Sequence, residues 1–395
     1  MFILVFDSDE LGLRFMLKGL RSDIEIYGSV TDIATEAATL RLMPAGGRET
    51  VEISEINDIG EAVCWIRDLL IEKELLSKPE DVRIVAQYVL HGGMKFKVPT
   101  LITDDVVETI ERLRDYAPTA LDINLQAING VRKFFPGIQQ IGVFDTAFHH
   151  TIPDHAALYA IPLDYIKKYR IRRYGFHGIP HRAMMTRAIE AAGLERNRSR
   201  VITVELSFGC SVNACRNGIS VDNSMGFSRL EGLSMPERAG TVNFDVLSLL
   251  HAKENMSIEE ISTMLYRFSG LFGLSGGCHS MEEVLSAVEK GDAIATNAYN
   301  NFIYQVRKCI GAYMLVLGGV DAIAVSGLLV QDLPKVRESI FEDLSGFGII
   351  LDPAENGRHT GDNEGPISSA TSTVPVYYFK RNISRAIFQE VEKLL

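Results

Sequence analysis

Asp145, His177 and Arg238 are residues of the types that could serve a planar anion in transit: a guanidinium gives forked donors, an imidazole a second donor, and a carboxylate an orienting acceptor. Taken singly, each has a structural reading that outweighs the chemical one. Asp145 opens a turn after an apolar strand, where it can cap backbone amides, and His177 before Gly178 has the setting of a hydrogen-bonded core histidine. The run Asp7-Ser8-Asp9-Glu10 places three carboxylates in one turn, which repels phosphates unless a cation intervenes. No G-x-x-x-x-G-K-[ST] occurs and no G-x-G-x-x-G follows a strand, so the common phosphate loops are absent. Cys64, Cys210, Cys215, Cys278 and Cys309 form no CxxC pair and no metal-ligand spacing, as expected of packed thiols in a reducing compartment.

The elements that must position these residues follow from the hydrophobic pattern. Met1 to Asp7 reads as a buried strand entering a turn, with a second strand over Leu13 to Leu17. Arg200 to Gly218 repeats that plan: strand, small-residue turn, strand, then Asn217-Gly218 as a hairpin signal. Ile3 matches Ile202, Val5 matches Val204 and Ser8 matches Ser207, as two copies of one α/β fold would give. Ser257 with Glu260, and Ser280 with Glu283, read as capping boxes. A long helix is expected over about Asn297 to Leu317, a central strand over Val320 to Val325, and a closing amphipathic helix over Arg381 to Leu395. The Gly-, Ser-, Thr- and Asp-rich stretch Asn356 to Thr373 reads as a mobile surface loop.

The 395 residues carry 40 Lys and Arg against 51 Asp and Glu, a net charge of −11 that argues against a nucleic-acid groove. No signal peptide and no membrane span are read: Phe2 to Phe6 is short and meets acids at once, and Ala312 to Leu317 is far below the ~18 residues a span needs. A cytoplasmic location is expected.

Four segments resemble the acetate kinase (acetokinase) family: Val89-Leu-His-Gly-Gly93, Val143-Phe-Asp-Thr-Ala-Phe-His149, Arg172-Arg-Tyr-Gly-Phe-His-Gly178 and Ser220 to Leu233. Fainter echoes stand at Ser269 to Gly276 and at Val336-Arg-Glu338, in the family's order. The resemblance implies a two-domain α/β fold of the actin, sugar kinase and Hsp70 (ribonuclease H-like) type with a cleft between domains. The expected division is 1–150 with the helix at 382–395, and 151–381 carrying a homodimer interface. It also implies transfer of the ATP γ-phosphate to a short carboxylate with Mg²⁺. On the family's pattern Asp145 lies near the reacting carboxylate, His177 contacts the transferring phosphoryl and Arg238 clamps it. The substrate pocket maps to Tyr88, Leu90, Thr119, Phe176 and Arg229, the nucleotide and phosphate positions to Ser207, Gly209, Ser211 and Gly327, and the metal side to Asp7.

Several positions depart from that pattern. The family's Gly-Ser-Ser-Ser turn is the acidic run at Asp7, and its His-Leu-Gly-Asn-Gly is Glu205-Leu206-Ser207-Phe208-Gly209. Its Gly-Ile-Gly-Glu-Asn is Leu328 to Asp332, and its metal-serving Glu is Arg381, which cannot ligate Mg²⁺. Tyr88 replaces an arginine, Ala120 a histidine and Arg229 a proline, while Phe176 stays as an apolar wall. Counted as separate losses, these predict a protein weak or inactive as an ATP:acetate kinase, kept for binding, regulation or assembly, with no cofactor expected. The alternatives are a working kinase for acetate, propionate, butyrate or another carboxylate, with ATP and Mg²⁺, or one with changed chemistry whose Asp7, Asp9 or Glu10 brings its own cation. The cleft is expected to hold an anion larger than acetate, such as a dicarboxylate or a phosphorylated small molecule, or an acidic partner side chain, if Arg229 faces inward, and nothing of the kind if Arg229 turns outward to pair with Glu231 or another surface acid.

Overall fold

The computed structural model describes residues 1–44 and 49–395. It divides into two compact units, Met1–Ala147 with Asn382–Leu395, and Phe148–Arg381.

The first unit is built on β1 (Phe2–Asp9), β2 (Gly12–Gly19), β3 (Glu25–Thr31), β4 (Thr35–Pro44), β5 (Thr50–Ile56), β6 (Val82–Val89), β7 (Thr100–Leu101) and β8 (Gln139–Phe144). They lie in one sheet in the order β5-β4-β3-β2-β1-β6-β8-β7. β1 pairs antiparallel with β2 and parallel with β6, which is parallel to β8. Ile3 to Phe6 are buried on both faces, the reason this strand reads as a continuous apolar run rather than an alternation. The helices Ile59–Glu72 and Pro118–Phe134 bury Val63, Ile66, Ala127 and Val131 against the sheet. Asp58 caps the first by accepting the Glu61 amide.

The second unit repeats the plan. β9 (Arg200–Leu206), β10 (Cys210–Arg216), β11 (Ile219–Asn223), β12 (Ala322–Ser326), β13 (Gly365–Pro366) and β14 (Val376–Tyr378) run in the order β11-β10-β9-β12-β14-β13. The central strand again takes an antiparallel hairpin partner on one side and a parallel strand on the other. Hairpin, parallel strand, parallel strand and antiparallel edge thus recur in the same sequence, as the duplicated openings predict.

Most expected elements stand within a few residues of their predicted limits. The long helix starts earlier, at Ala293, because Asp292 caps the amides of Ile294 and Ala295, and ends at Leu317 where Gly318 turns left-handed at φ 68°. The strand after it starts at Ala322, since Asp321 is engaged by the Arg200 amide and guanidinium. Ser257 and Glu260 form a reciprocal capping box, whereas Ser280 accepts the Glu283 amide without the return bond, because the Glu283 carboxylate accepts the His279 amide instead. The one clear correction is Asn356 to Thr373. Its polar composition hides a buried Asn356, a fully buried Ile367, the edge strand β13 and a bridge from Leu351 to Ser368. Arg337 holds one end of it, donating to Asn356 Oδ1 (2.7 Å), Asn356 O (2.5 Å) and His359 O (2.7 Å).

Candidate functional site

In the first unit the candidates gather at the ends of β1, β6 and β8. Asp7 does not stand open for a metal. Arg14, opposite it across the β1–β2 hairpin, places Nε 2.8 Å from Asp7 and Nη2 2.5 Å from Asp9. The cation that the acidic turn calls for is therefore a guanidinium of the same hairpin, which the sequence reading missed although a two-residue turn at Glu10-Leu11 sets Arg14 opposite Asp7. Ser8 is joined through Asn124, another unforeseen residue: Asn124 Nδ2 donates to Ser8 Oγ (3.0 Å) while its Oδ1 accepts the Leu90 amide (2.9 Å). This bond fixes the entry to His91-Gly92-Gly93, where Gly92 donates to Thr146 Oγ1 (3.0 Å). Asp145, next to it, is buried at the start of the turn Asp145–Thr151. Tyr88 is half-buried on β6 and Leu90 buried just beyond it, whereas Thr119 is exposed on the first turn of Pro118–Phe134.

In the second unit the site grows from the β9–β10 hairpin and the start of the helix Gly178–Ala191. His177 precedes that helix in a left-handed conformation, φ 58°, unusual for a non-glycine residue and a means of turning the ring back on the sheet. Its Nδ1 lies 2.8 Å from Ser211 Oγ. Ser211 in turn bonds His181 Nε2 (2.8 Å), and His181 Nδ1 bonds Thr203 Oγ1 (2.7 Å). One hydroxyl proton cannot serve both rings, so Ser211 donates to one histidine and accepts from the other, coupling their tautomers. His181 was missed; its place in the first turn of the helix, four residues after His177, was the available signal. Gly209 makes room for the imidazole: a Cβ there would stand 2.8 Å from His177 Nε2 and Cε1.

Charge surrounds that ring. Burial, then Arg381, Arg238 and Arg229 in that order, hold His177 well below the ordinary histidine range, so it is neutral at physiological pH. Burial does the same to His181. Arg229 thus bears on the His177 side of the unit. The expected outward partner, Glu231, is engaged instead by the Tyr159 hydroxyl and by Arg173 at 3.0 Å. Phe176 is buried, with its carbonyl 3.0 Å from His149 Nε2. His149 is held down to about 3 by burial and acts as a fixed strut under the site, closed over by Gly175 at φ 72°.

Two positions that the sequence assigns to separate nucleotide and metal roles, Glu205 and Arg381, meet in the structure. Glu205 is almost fully buried, and its Oε1 accepts from Arg381 Nε at 3.0 Å and from Ser207 Oγ at 2.8 Å. Burial pushes the Glu205 carboxyl upward, and Arg381 opposes that most. Two changes that look like separate losses in the sequence are the two halves of one ion pair. Phe208 is more than half exposed at the tip of the hairpin. Gly327 is required where it stands, at φ 116° with a Cβ position 2.1 Å from Leu206 O, and Ser207 Oγ accepts the Leu328 amide (3.1 Å). Among the described residues no group of three or more His, Cys, Asp or Glu could hold a metal ion.

The pattern that defines the acetokinase family matches residues 2–389. The chain is similar to the acetate kinase of Halothermothrix orenii, 35% identical over 396 residues covering 100% of this chain and 99% of that one. Among solved structures it is similar to Porphyromonas gingivalis acetate kinase, with TM-score 0.92 and 31% identity over 100% of this chain and 99% of the other. It is also similar to a propionate kinase from Francisella tularensis, with TM-score 0.90 and 29% identity over 98% of each.

Proposed function

The chain belongs to the acetokinase family, with the actin and sugar-kinase type of fold, and from that premise we propose that it works on a short-chain carboxylate and its acyl phosphate, passing a phosphoryl group between that carboxylate and a nucleotide. The observation that carries this reading is the similarity to acetate kinases along the whole chain, with Asp145, His177 and Arg238 taken as the residues that serve the transfer. Phosphoryl transfer asks for positioning and charge neutralisation more than for covalent work. Arg238 supplies the fork and His177 a neutral donor that the Ser211–His181–Thr203 chain keeps in one orientation. Asp145 is the orienting carboxylate. Acetate kinases depend on ATP and Mg²⁺, but the donors here do not fit a divalent cation: Arg14 covers Asp7, and Arg381 stands where a carboxylate ligand is needed. No step is assigned to a metal.

The test is acyl phosphate formation, trapped with hydroxylamine, from acetate, propionate and butyrate with ATP. Turnover of any of the three supports the proposal, and none at micromolar protein over hours overturns it. The Glu205–Arg381 pair favours a second reading, a protein that binds the anion without turnover for regulation or assembly. That reading requires thermal unfolding to be unmoved by Mg-ATP, whereas a nucleotide-using enzyme is stabilised by ligand linkage. We further propose a homodimer through the 151–381 half and residence in the cytoplasm. Sedimentation giving a monomer at micromolar concentration would count against the first. No helix among the described residues is long and apolar enough to cross a membrane.

A further inference from the structure

A guanidinium and a buried carboxylate that only stabilise a fold usually close two-pronged, with both oxygens on two N–H groups. The Glu205–Arg381 pair does not. Arg381 reaches Glu205 Oε1 through Nε alone, and Glu205 Oε2 has no hydrogen-bond partner among the described residues. Neither terminal amino group of Arg381 has a hydrogen bond among the described residues, and its side chain is 26% exposed against 1% for Glu205. A buried anchor therefore grips the guanidinium from behind and leaves its two-nitrogen edge facing outward. Ser207 Oγ, on the same carboxylate oxygen, fixes the anchor.

The turn Ser207-Phe208-Gly209, closed by the Ser207 amide on Gly209 O (2.9 Å), connects the strand that carries the anchor Glu205 to the His177 side. Gly209 brings that turn against the His177 ring, which Ser211 fixes from the other side. Arg381 is the nearest in effect of the three guanidiniums that depress the His177 imidazole. A fork with both amino groups open, beside a neutral ring donor and two further cations, matches a doubly charged tetrahedral oxyanion better than it matches water.

We propose that Arg381, anchored by Glu205, is a phosphoryl-oxyanion site that takes the place of a divalent cation, so that phosphate or an acyl phosphate binds the second unit without metal. This deepens the reading above, on which it rests for the acyl phosphate as ligand, though not for the binding of phosphate itself. Calorimetry with inorganic phosphate and with acetyl phosphate on the full chain, in EDTA and again in excess Mg²⁺, tests it. The expected result is saturable binding whose Kd differs by less than about twofold between the two conditions. Arg381→Lys keeps the charge against Glu205 but loses the fork, and should weaken phosphate about tenfold. The double variant Glu205→Gln with Arg381→Gln removes both charges together and should weaken it further, with its circular dichroism unchanged. Binding that appears only with Mg²⁺, no binding in either condition, or binding indifferent to both variants would overturn the proposal. Phosphate bound in EDTA with no carboxylate phosphorylated leaves this site standing and removes the transfer reading. Acyl phosphate made while phosphate binding follows Mg²⁺ does the reverse.

Discussion

At the scale of single residues, charge pairing decides what this site tolerates. Removing Arg381 alone strands Glu205 as a buried charge, so Arg381→Gln should cost about 3 kcal/mol in urea unfolding, near the low end for breaking a buried pair because Arg381 is partly exposed. The paired Glu205→Gln, Arg381→Gln change should cost clearly less; equal costs would mean the two residues do not act as one. Buried histidines set the pH response. His91 is pushed down to about 4 and His149 to about 3, and His181 lies well below 6.5, each by burial first. In the unfolded chain they take up protons near pH 6.5, so the native state binds fewer and stability falls as pH drops through that value. Between pH 7 and 5.5 each should remove about 1 kcal/mol. Glu205, raised by burial, works in the opposite direction but is a single group. Chemical denaturation at the two pH values checks this, and a flat profile would refute it. None of this was legible in the sequence, where Glu205 and Arg381 lie 176 residues apart and each reads as a lost ligand.

At the scale of elements, the sequence was most readable where local rules act alone. The hairpin at Asn217-Gly218, the Ser257 box and the Gly318 stop follow from turn and cap chemistry that needs no tertiary partner. The stretch after Asn356 was misread because its order comes from Arg337, a residue on another helix that satisfies backbone carbonyls from the far side. Two glycines give the element-level tests. Gly327→Ala forces a side chain onto Leu206 O at a left-handed φ, and should lower stability by at least about 3 kcal/mol. Gly209→Ala has ordinary backbone and should leave the melting temperature within a few degrees while weakening phosphate by tenfold or more, since its methyl displaces the His177 ring. If Gly209→Ala binds phosphate normally, the ring is not held where the hairpin puts it.

At the scale of the whole molecule, the two units share a strand order that the repeated openings disclosed, and each central hairpin carries its own buried or part-buried ion pair, Asp7–Arg14 in one and Glu205–Arg381 in the other. Exchanging the second pair tests whether it bars the nucleotide. Glu205→His with Arg381→Glu returns the family's residue types together and should raise the thermal shift given by Mg-ATP above that of the natural protein, while Arg381→Glu alone, facing Glu205, should unfold more readily than either. A double variant that gains nothing would refute it. The helix Ile383–Glu392 carries a different consequence. It buries Ile387, Phe388 and Val391 in the first unit, on β1 and β6, although 234 residues of the second unit come between. On a ribosome adding about 5–20 residues per second, the opening strand must therefore wait roughly twenty seconds to more than a minute with one apolar flank uncovered. The unit synthesised first is the one finished last, so a nascent chain of this protein is a ready client for chaperones until its closing helix emerges.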